Sequence, residues 1–375
     1  MKIGLVCPYD MIMHAGGVQE CVSALQRELS KRGHKVVVIT PQPQGYDGKA
    51  PSGMVFVGKS KRIKTLQHTS ADVAISVDPK SIDRLISEEQ FDIVHIHEPL
   101  VPFLPRQLLP RLTCPVVGTF HATSPETMLA KTLAGSLGLY VKSILKRLDV
   151  LTAVSPAATS YIDSYQHRPV TYIANGVNLD VYKPPPKPIA SPHKTIVYIG
   201  RLEARKGVKY LLKAYALVAK QHPDVRLLIA GEGVDKLKLE KYVESHDLPH
   251  VKFLGFISQA EKVSLLQRSD LFCAPALYGE SFGIVLLEAM ACGLPIVAGN
   301  NPGYASVLKE DGQQSLVDPK DIQTFSYLLE LMLYDENLRK AWRAWALKEV
   351  KAYAYPKIVD QYEAVYKQAM GTIRL

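Results

Sequence analysis

Positive charge is concentrated in one short segment, residues 200–207, with the sequence GRLEARKG. It contains Arg201, Arg205 and Lys206, and a planar guanidinium beside a compact ammonium suits the two phosphates of a diphosphate. Negative charge develops on a nucleoside diphosphate when it leaves a sugar, so fixed cations here would stabilise the transition state. The segment therefore predicts a diphosphate site, and a solvated basic loop is the alternative.

A second segment, residues 280–293 with the sequence ESFGIVLLEAMACG, combines two carboxylates with a predicted helix start. We expect Ser281 to cap this helix, so that its first amides face an anion. Glu288 follows Phe282 by ~9 Å along such a helix, about the reach from a phosphate to ribose hydroxyls. Glu280, just outside the helix, would contact the sugar. A glycosidase pair is disfavoured, because one helix holds these groups beyond the ~5 to 9.5 Å that it requires. A solvent-facing Glu288 is the structural alternative.

Histidines end two predicted strands. His95, His97 and Glu98 close one strand, and His121 closes another, residues 115–121. A histidine at the carboxyl end of a strand can bond a sugar hydroxyl or a phosphate, and we expect this of His121. His95 and His97 point to one face of their strand and are expected to pack in the core. Their spacing fits no standard metal site, so no metal is predicted.

Glycines follow two further strands. Gly16 and Gly17 precede a predicted helix, where the backbone can approach a ligand and free amides can bind an anion; a simple turn is the alternative. Gly231 and Gly233 also follow a strand, but Lys236 replaces the third glycine of the dinucleotide motif. A dinucleotide site is therefore disfavoured. The sequence also contains no D-x-D pair of carboxylates for a nucleotide-bound divalent ion.

The elements that position these residues read as α/β. Continuous β-branched runs at residues 2–7, 35–40, 92–97, 115–121, 148–155 and 169–175 alternate with helical patterns. Prolines 184–186 and residues 187–193 form a predicted linker, after which the pattern restarts at residues 195–200, 225–231, 251–256, 271–276 and 295–298. We therefore predict two domains with parallel sheets, residues 1–174 and 175–355, and ligands at the carboxyl ends of the strands. An apolar stripe predicts a last helix, residues 356–375, that must pack on another part of the protein.

Composition excludes several classes of protein. The 375 residues are 47% hydrophobic and 22% charged, as in ordinary globular proteins. No apolar run approaches the ~20 residues of a membrane span, and the N-terminus has no signal-peptide pattern, which predicts a cytoplasmic protein. Five scattered cysteines predict buried thiols. A net charge of +9 indicates a phosphorylated ligand, an anionic membrane or a nucleic acid as partner, or lysines that only confer solubility.

The segments GGVQ, NGV, GRLEARKG and ESFGIVLLEAMACG, together with the final helix, resemble the retaining glycosyltransferases of family 4. The resemblance covers nearly the whole chain. PYD, HEPLVPFLP and GTFH are similar to motifs of the phosphatidylinositol mannosyltransferases, which use GDP-mannose. The resemblance to family 4 implies the GT-B fold. In this fold two Rossmann-like domains face each other across a cleft, and the donor is held mainly by the second domain. The last helix would cross back to the first domain.

The resemblance also implies roles for individual residues. The donor-binding residues are expected to be Gly16, Gly17, Arg201, Lys206, Ile257, Lys262, Glu280, Ser281, Phe282, Gly283, Ile284, Val285 and Glu288. The catalytic residues are expected to be His121, Arg201, Lys206 and Glu280. Tyr9, Gln19 and His121 match positions on the acceptor side. No covalent cofactor is implied.

One segment departs from the lipid-using members, which carry a strongly basic helix where residues 81–90, SIDRLISEEQ, are acidic. Basic residues stand elsewhere, at Lys59, Lys61, Arg62 and Lys64 and at Lys142, Lys146 and Arg147. Such clusters bind an anionic membrane with about 1 kcal/mol per residue. The expected location is thus the cytoplasm, with peripheral contact to the inner face of the cytoplasmic membrane as a candidate.

The function predicted from the sequence is transfer of a hexose to a hydroxyl acceptor with retention at the anomeric carbon. GDP-mannose is the favoured donor, and an inositol phospholipid is the candidate acceptor. One alternative is a UDP-sugar with a soluble or different lipid acceptor, and another is a nucleotide-sugar epimerase of the same fold. A non-catalytic binder of nucleic acid or membrane is disfavoured, because it has no use for Glu280 and Glu288.

Overall fold

The structure is a computed structural model of the chain, and it describes residues 1–13, 16–64, 70–76, 78–123, 134–187 and 191–371. The side chains of residues 62–64, 70–72, 76 and 134–137 also lie outside the described part. The chain divides into two compact units, Met1–Asn175 with Tyr355–Leu375, and Gly176–Ala354. Because each unit is built on its own sheet, they are described separately.

The first unit contains an eight-stranded sheet in the order β4-β3-β2-β1-β5-β6-β7-β8. Neighbouring strands are parallel except β3 and β4, which are antiparallel. The strands are β1 (Lys2–Val6), β2 (Lys35–Gln42), β3 (Met54–Lys64), β4 (Ser70–Ser76), β5 (Ile93–His97), β6 (Val116–Phe120), β7 (Val150–Ala153) and β8 (Val170–Tyr172). The sequence did not predict β3 and β4, because lysines and Gly58 interrupt the apolar run of β3.

Helices of the first unit lie between these strands: α1 (Gly17–Lys31), α2 (Pro79–Glu89), α3 (Leu104–Leu108) and α4 (Ala134–Leu145). The apolar stripe of α1 is buried on the sheet, with Val22, Leu25 and Leu29 at most 1% exposed. β5 and β6 are fully buried along their length. Only residues at the ends of these central strands can therefore reach a ligand.

The second unit contains a six-stranded parallel sheet in the order β11-β10-β9-β12-β13-β14. Its strands are β9 (Lys194–Ile199), β10 (Val225–Ala230), β11 (Val251–Gly255), β12 (Leu271–Ala274), β13 (Ile296–Gly299) and β14 (Leu316–Val317). Its helices are α5 (Val208–Gln221), α6 (Lys236–Ser245), α7 (Gln259–Arg268), α8 (Ile284–Ala291), α9 (Pro302–Ala305), α10 (Ile322–Tyr334) and α11 (Glu336–Glu349). The fold class predicted from the sequence is confirmed in both units.

The proline-rich stretch was predicted as a linker but does not lie between the two units, whose division is within one residue of the predicted domain ranges 1–174 and 175–355. The division falls at Asn175, ahead of the prolines. The chain is attached to the second unit before it reaches them, because Tyr182 is buried and Gln267 donates a hydrogen bond to the carbonyl oxygen of Lys183 at 2.9 Å. Residues 184–187 therefore belong to the second unit.

The last helix, α12 (Tyr355–Gly371), belongs to the first unit and carries the predicted apolar stripe. Ile358, Val359, Tyr362, Val365 and Tyr366 are buried in one core with α1. Arg32, at the end of α1, pairs with Asp360 at 2.7 Å and Glu363 at 2.6 Å. Among the described helices, none combines the length and the apolar content needed to cross a membrane.

A buried hydrogen-bond chain fixes α12 to the sheet. Thr152 donates to the carbonyl oxygen of Gly118 at 3.3 Å, so the 2.5 Å bond between Thr119 and Thr152 is donated by Thr119. Nε2 of His95 must then donate to Thr119 at 2.5 Å, which leaves Nδ1 to accept from the hydroxyl of Tyr366 at 2.8 Å. Each polar group of His95 is satisfied, and its role is structural.

Candidate functional site

Two loops of the second unit meet at the carboxyl end of its sheet. The loop after β9 forms a short 3₁₀ turn, Ala204–Lys206, and ends at Gly207, whose φ is 72°. A Cβ on Gly207 would lie 2.0 Å from the carbonyl oxygen of Pro275, so only glycine fits there. The amide of Leu277, in the loop after β12, donates to the carbonyl oxygen of Arg205 at 2.8 Å. The sequence thus places the basic turn directly against the segment that carries Glu280.

Four side chains at this junction, Glu203, Arg205, Lys206 and Glu280, form what we call the charge cluster. Oε1 of Glu280 accepts from Nη1 of Arg205 at 2.7 Å and lies 2.8 Å from Nζ of Lys206. Nε of Arg205 donates to Glu203 at 3.1 Å. Burial alone would lower the pKa of Arg205, but Glu280 and Glu203 raise it above its ordinary value. The cluster is therefore a network of mutually compensated charges.

Arg201 lies at the edge of this cluster. Its side chain is 51% exposed, and Nη1 is 3.6 Å from Oε1 of Glu203. Arg201 and Lys206 were predicted from the sequence to bind the diphosphate. In the structure, Arg205 is the cation at the centre of the charge cluster. Three basic residues in one loop carry no pattern that distinguishes the buried one, so sequence reasoning could not assign this role. Arg201 is exposed and is held by one long contact with Glu203.

The start of α8 differs from the predicted one. Ser281 does not cap the helix: α8 begins at Ile284, its N-cap is Gly283, and no side chain bonds to the cap. Gly283 has a φ of 110°, and a Cβ there would lie 2.7 Å from the ring of Tyr304. The loop therefore extends through Phe282, which is buried and packs against Tyr353. The uncapped amides of the first turn are left to bind an anion.

Glu288 consequently lies closer to the helix start than predicted, about 6 Å along the axis from Ile284 at 1.5 Å per residue. It is 1% exposed, so the solvent-facing alternative is wrong. Its Oε1 is paired with Nζ of Lys262, on the first turn of α7. That ammonium also lies 5.3 Å above the ring of Tyr182. The structure thus brings Lys262 and Glu288 together from two different helices.

Ile257 lies between β11 and α7 and is half-buried. Ser258 caps α7 through a capping box with Glu261, which fixes the turn beside Ile257. Val285, on the first turn of α8, is half-buried as well. These residues follow β11 and β12, which are separate strands of one sheet with their carboxyl ends at the same edge.

His121 follows β6 in the first unit and is 7% exposed. Its Nε2 lies 2.8 Å from Nδ1 of His97, and the two rings are stacked with centroids 5.1 Å apart. Burial lowers the pKa of His121 to about 3, and it lowers the pKa of His97 well below its ordinary value. Both imidazoles are therefore neutral at physiological pH, and His97 is fully buried, so His121 alone of the pair stays a predicted contact for a sugar hydroxyl.

Four predicted site residues lie after β1: Gly16 and Gly17, predicted for the donor phosphates, and Tyr9 and Gln19, predicted for the acceptor. Gly16 is the N-cap of α1 with extended backbone, and Gly17 is the first helical residue. Nε2 of Gln19 donates to the carbonyl oxygen of Asp10 at 3.2 Å. Tyr9 is half-buried, and burial raises the pKa of its hydroxyl well above the ordinary value. Because β5 lies between β1 and β6, this loop and His121 are at the same sheet edge, two strands apart.

One group of described residues offers metal-ligating atoms in proximity: Cys21, His97 and His121, within 4.8 Å of one another. The two imidazoles already share a hydrogen bond. Burial raises the pKa of the Cys21 thiol to about 12, which disfavours the thiolate that a metal needs. Hydrogen-bonded neutral side chains account for this group.

The predicted membrane-surface cluster lies on β3. Lys59 and Lys61 are exposed, and the side chains of Arg62 and Lys64 lie outside the described part of the structure. Lys142 on α4, and Lys146 and Arg147 just after it, are exposed too. These lysines are accessible to an anionic surface.

The second unit contains two cavities, at opposite ends of its strands. One of about 580 Å³ is lined by Lys194, Asp270 and Arg339, at the amino ends of the strands. The other, of about 320 Å³, is lined by Glu203, Tyr210, Tyr242 and Tyr278. The smaller cavity adjoins the charge cluster through Glu203, whereas the larger one is at the opposite edge of the sheet.

Two family models match the chain: glycosyltransferase family 4 over residues 15–181, and glycosyl transferases group 1 over residues 183–349. The phosphatidyl-myo-inositol mannosyltransferase of Mycolicibacterium smegmatis is 33% identical over 99% of this chain and 95% of that protein. The chain belongs to glycosyltransferase family 4. The resemblance seen in the sequence motifs is thereby confirmed, and the protein is a glycosyltransferase.

Other family members are similar over the full length. The N-acetyl-alpha-D-glucosaminyl L-malate synthase of Bacillus anthracis is 25% identical over 98% of this chain and 96% of that protein. Among solved structures, sucrose-phosphate synthase from Thermosynechococcus elongatus has a TM-score of 0.79 at 20% identity, covering 98% of each chain. The structural likeness establishes the GT-B fold of this glycosyltransferase; the roles of its individual residues stay predictions.

Replacing Arg205 by methionine tests the charge cluster. The change leaves Glu280 with Lys206 alone and Glu203 without its partly buried partner. We expect the free energy of unfolding of the second unit to fall by about 3 kcal/mol. Both tryptophans of the chain, Trp342 and Trp345, lie in this unit, so tryptophan fluorescence during urea unfolding reports it selectively. The control is Arg268→Met, since Arg268 is exposed and has no carboxylate partner among the described residues. Equal stability of the two variants would refute the cluster's role.

The buried histidines predict acid sensitivity of the first unit. Burial lowers the pKa of His95 to about 3, as it does for His121, so their stability contribution is complete above about pH 6.5 and is lost toward pH 3. At pH 5 each histidine should lower the free energy of unfolding by about 2 kcal/mol relative to its value above pH 6.5. Glu98 acts oppositely, since burial raises its pKa to about 7, but one carboxyl does not offset the histidines.

Hydrogen exchange of β5 and β6, corrected for intrinsic rates, measures this effect. Protection should fall steadily from pH 7 to pH 5. Constant protection across that interval would show that the histidines are not held neutral by the fold.

Proposed function

We propose that this glycosyltransferase transfers a hexose from a nucleoside-diphosphate sugar to a hydroxyl acceptor and retains the anomeric configuration. The favoured donor is GDP-mannose, and the favoured acceptor is an inositol phospholipid. The observation that carries the proposal is the charge cluster at the carboxyl end of the second sheet. It joins Lys206, on the loop after β9 with Arg201 at its edge, to Glu280, on the loop that leads to the uncapped start of α8.

Binding of a diphosphate would rearrange this cluster. The phosphates compete with Glu280 for Lys206, and the exposed Arg201 can turn toward them at little cost. The carboxylate of Glu280 is then released from one of its two cations and becomes available to accept from a sugar hydroxyl. The amides of Gly283, Ile284 and Val285 supply uncharged donors at the helix start. Together these groups stabilise the charge that develops on the leaving diphosphate.

The nucleoside would lie beside Ile257 and Lys262. Glu288 can accept from both hydroxyls of a ribose, because one carboxylate has two oxygens at suitable spacing. In the absence of ligand, Lys262 balances the buried charge of Glu288. A bound ribose would replace only part of the contact between Lys262 and Glu288. Lys262 would therefore stay close enough to reach the base of the nucleoside.

The acceptor and the transferred sugar would lie against the first unit. We assign His121 to the sugar, Tyr9 and Gln19 to the acceptor, and Gly16 and Gly17 to the donor phosphates. In the reaction the acceptor oxygen bonds to the anomeric carbon as the bond from that carbon to the phosphate oxygen breaks. The acceptor proton passes to the leaving phosphate, as the family resemblance implies, and no enzyme nucleophile is assigned.

The choice of mannose and of a lipid acceptor rests on the relatives and on surface charge. The M. smegmatis relative is named a phosphatidyl-myo-inositol mannosyltransferase. Lys59 and Lys61 are exposed and, at about 1 kcal/mol per lysine, can hold the enzyme at the inner face of an anionic membrane. This peripheral contact is part of the proposal.

A second candidate is transfer from a UDP-sugar to a soluble acceptor. The observation that favours it is α2, whose sequence PKSIDRLISEE is acidic where lipid-using members are basic. The B. anthracis relative is named for an acceptor, L-malate, that is a soluble hydroxy acid. An epimerase would release a changed sugar without an acceptor, and the acceptor assay below distinguishes it.

Lys206→Ala and Glu288→Ala test the donor site. Each should reduce kcat/KM at least 100-fold, because Lys206 stabilises the leaving diphosphate and Glu288 positions the nucleoside. Tryptophan fluorescence should show that the second unit stays folded. The matched control is Lys209→Ala, which removes an exposed charge three residues from Lys206. Activity near that of the control in both variants would overturn the site assignment.

A thermal-shift screen of GDP-mannose, UDP-glucose and ADP-glucose tests the donor. A donor at about 100 times its dissociation constant should stabilise the protein by ~2.7 kcal/mol, and we expect this of GDP-mannose. Transfer is then measured with vesicles of phosphatidylinositol in phosphatidylcholine, with phosphatidylcholine vesicles alone, and with L-malate. Product on the phosphatidylinositol vesicles alone supports the proposal, whereas product only with malate supports the second candidate.

A further inference from the structure

We propose that Glu98 is a positioning residue for His121, which it holds through the main chain of residues 121 and 122. Oε1 of Glu98 accepts from the amide of His121 and from the amide of Ala122, both at 2.6 Å. The residue is 4% exposed and follows directly after β5. The inference rests on the proposed function, in which His121 contacts the transferred sugar.

The main-chain hydrogen bonds show why a side-chain acceptor is needed just after β6. The ladder between β5 and β6 ends at the pair His97 and Thr119, and the amide of Glu98 adds one bond to the carbonyl oxygen of Thr119 at 2.8 Å. Beyond it the chain turns away, and the amides of His121 and Ala122 both point toward the carboxylate. Glu98 therefore replaces the neighbouring strand as acceptor for two consecutive amides.

The arrangement is costly for stability. Glu98 has a φ of 52°, in the left-handed region that non-glycine residues rarely adopt. Its carboxylate forms no ion pair among the described residues, so two amide dipoles are its only polar support. Buried charge and strained backbone at one residue are typical of functional sites, because surrounding structure must compensate for both.

The imidazole of His121 is then fixed from two directions. Its main chain is bound to Glu98, and its Nε2 is hydrogen-bonded to His97, the residue that precedes Glu98. Both partners come from the end of β5, so the main-chain position of His121 and the orientation of its ring depend on the same strand. The ring can turn only if the bond between its Nε2 and His97 breaks.

The ionisation of Glu98 makes this positioning depend on pH. The titratable groups around it are Tyr9 and Tyr161, whose pKa values are raised by burial, and His97 and His121, whose pKa values are lowered by burial. The thiol of Cys7 also lies within electrostatic range, and burial raises its pKa to about 12. These groups stay neutral from pH 6 to pH 8.

Glu98 differs from these neighbours. Burial raises its pKa to about 7, against the opposing effect of the two amide hydrogen bonds. Below that pH the carboxyl gains a proton, and both bonds to the main chain weaken. The positioned form of His121 is therefore the form present above pH 7.

The first test compares Glu98→Gln with wild type. The amide keeps the shape and one acceptor oxygen but lacks the charge, so kcat should fall about tenfold at pH 8. Wild-type kcat should decline as pH falls from 8 to 6, and the variant should show no such decline. Affinity for the nucleoside diphosphate, read from tryptophan fluorescence of the second unit, should be unchanged. Glu88→Gln, at an exposed position of α2, is the control and should behave as wild type.

A second measurement does not need enzymatic activity. With ¹³C-labelled histidine, the ring resonance of His121 in the free protein should shift with an inflection near pH 7, and Glu98→Gln should lack it. If no donor supports transfer, the proposed function fails, and this titration alone decides the positioning role. The inference would be overturned if kcat of Glu98→Gln declined from pH 8 to pH 6 as it does in the wild type. It would also be overturned if the His121 ring resonance of the wild type had no inflection between pH 6 and pH 8.

Discussion

Compensation of charge at the carboxyl ends of buried parallel strands is the constraint on which the donor half of the site depends. Both faces of the second sheet are covered by helices, so ligand-binding side chains are confined to the strand ends and are partly removed from water. Glu280 is tolerable there because Arg205 and Lys206 neutralise it. In the proposed function a diphosphate replaces this carboxylate at Lys206, while Arg205 still pairs with Glu280, so no charge is left unpaired. On that proposal, Glu280 occupies part of the anion site when no ligand is bound.

In the first unit, charge at the ends of the buried strands is compensated differently. At the ends of β5 and β6 the imidazoles are held neutral by burial, and the single carboxylate, Glu98, is stabilised by main-chain amides. A neutral imidazole can offer a hydrogen bond to a hydroxyl without attracting an anion. This agrees with the proposed contact of His121 with the transferred sugar, whereas the cations of the proposed diphosphate site belong to the second unit.

Much of this organisation could be predicted from the sequence, because β-branched runs identify the strands and strand ends identify the site. His121 and the 280–288 segment were chosen in this way, and the structure places both after the carboxyl ends of strands; their roles stay predictions. The start of α8 was predicted wrongly, since a serine is a common cap, whereas Gly283 is required by close contact with Tyr304, far away in sequence. The hairpin of β3 and β4 was missed because its strands are rich in lysine. Arg205 and Glu98 depend on burial and distance, which a linear pattern does not contain.

Arg201 and Arg205 are residues of the same type that differ in exposure and in the number of their contacts. Arg205 is bound by two carboxylates and one carbonyl oxygen, so moving it would break three contacts at once. Arg201 is half-exposed with one long contact to Glu203, so moving it costs little. On the proposed function, the ligand-dependent change is therefore confined to Arg201 and to Lys206. A monophosphate carries less charge and has only one phosphate to offer, so we expect it not to hold both cations away from the glutamates at once. The proposal thus implies selectivity for diphosphates over monophosphates, because two cations must move while Arg205 keeps its contacts with both loops.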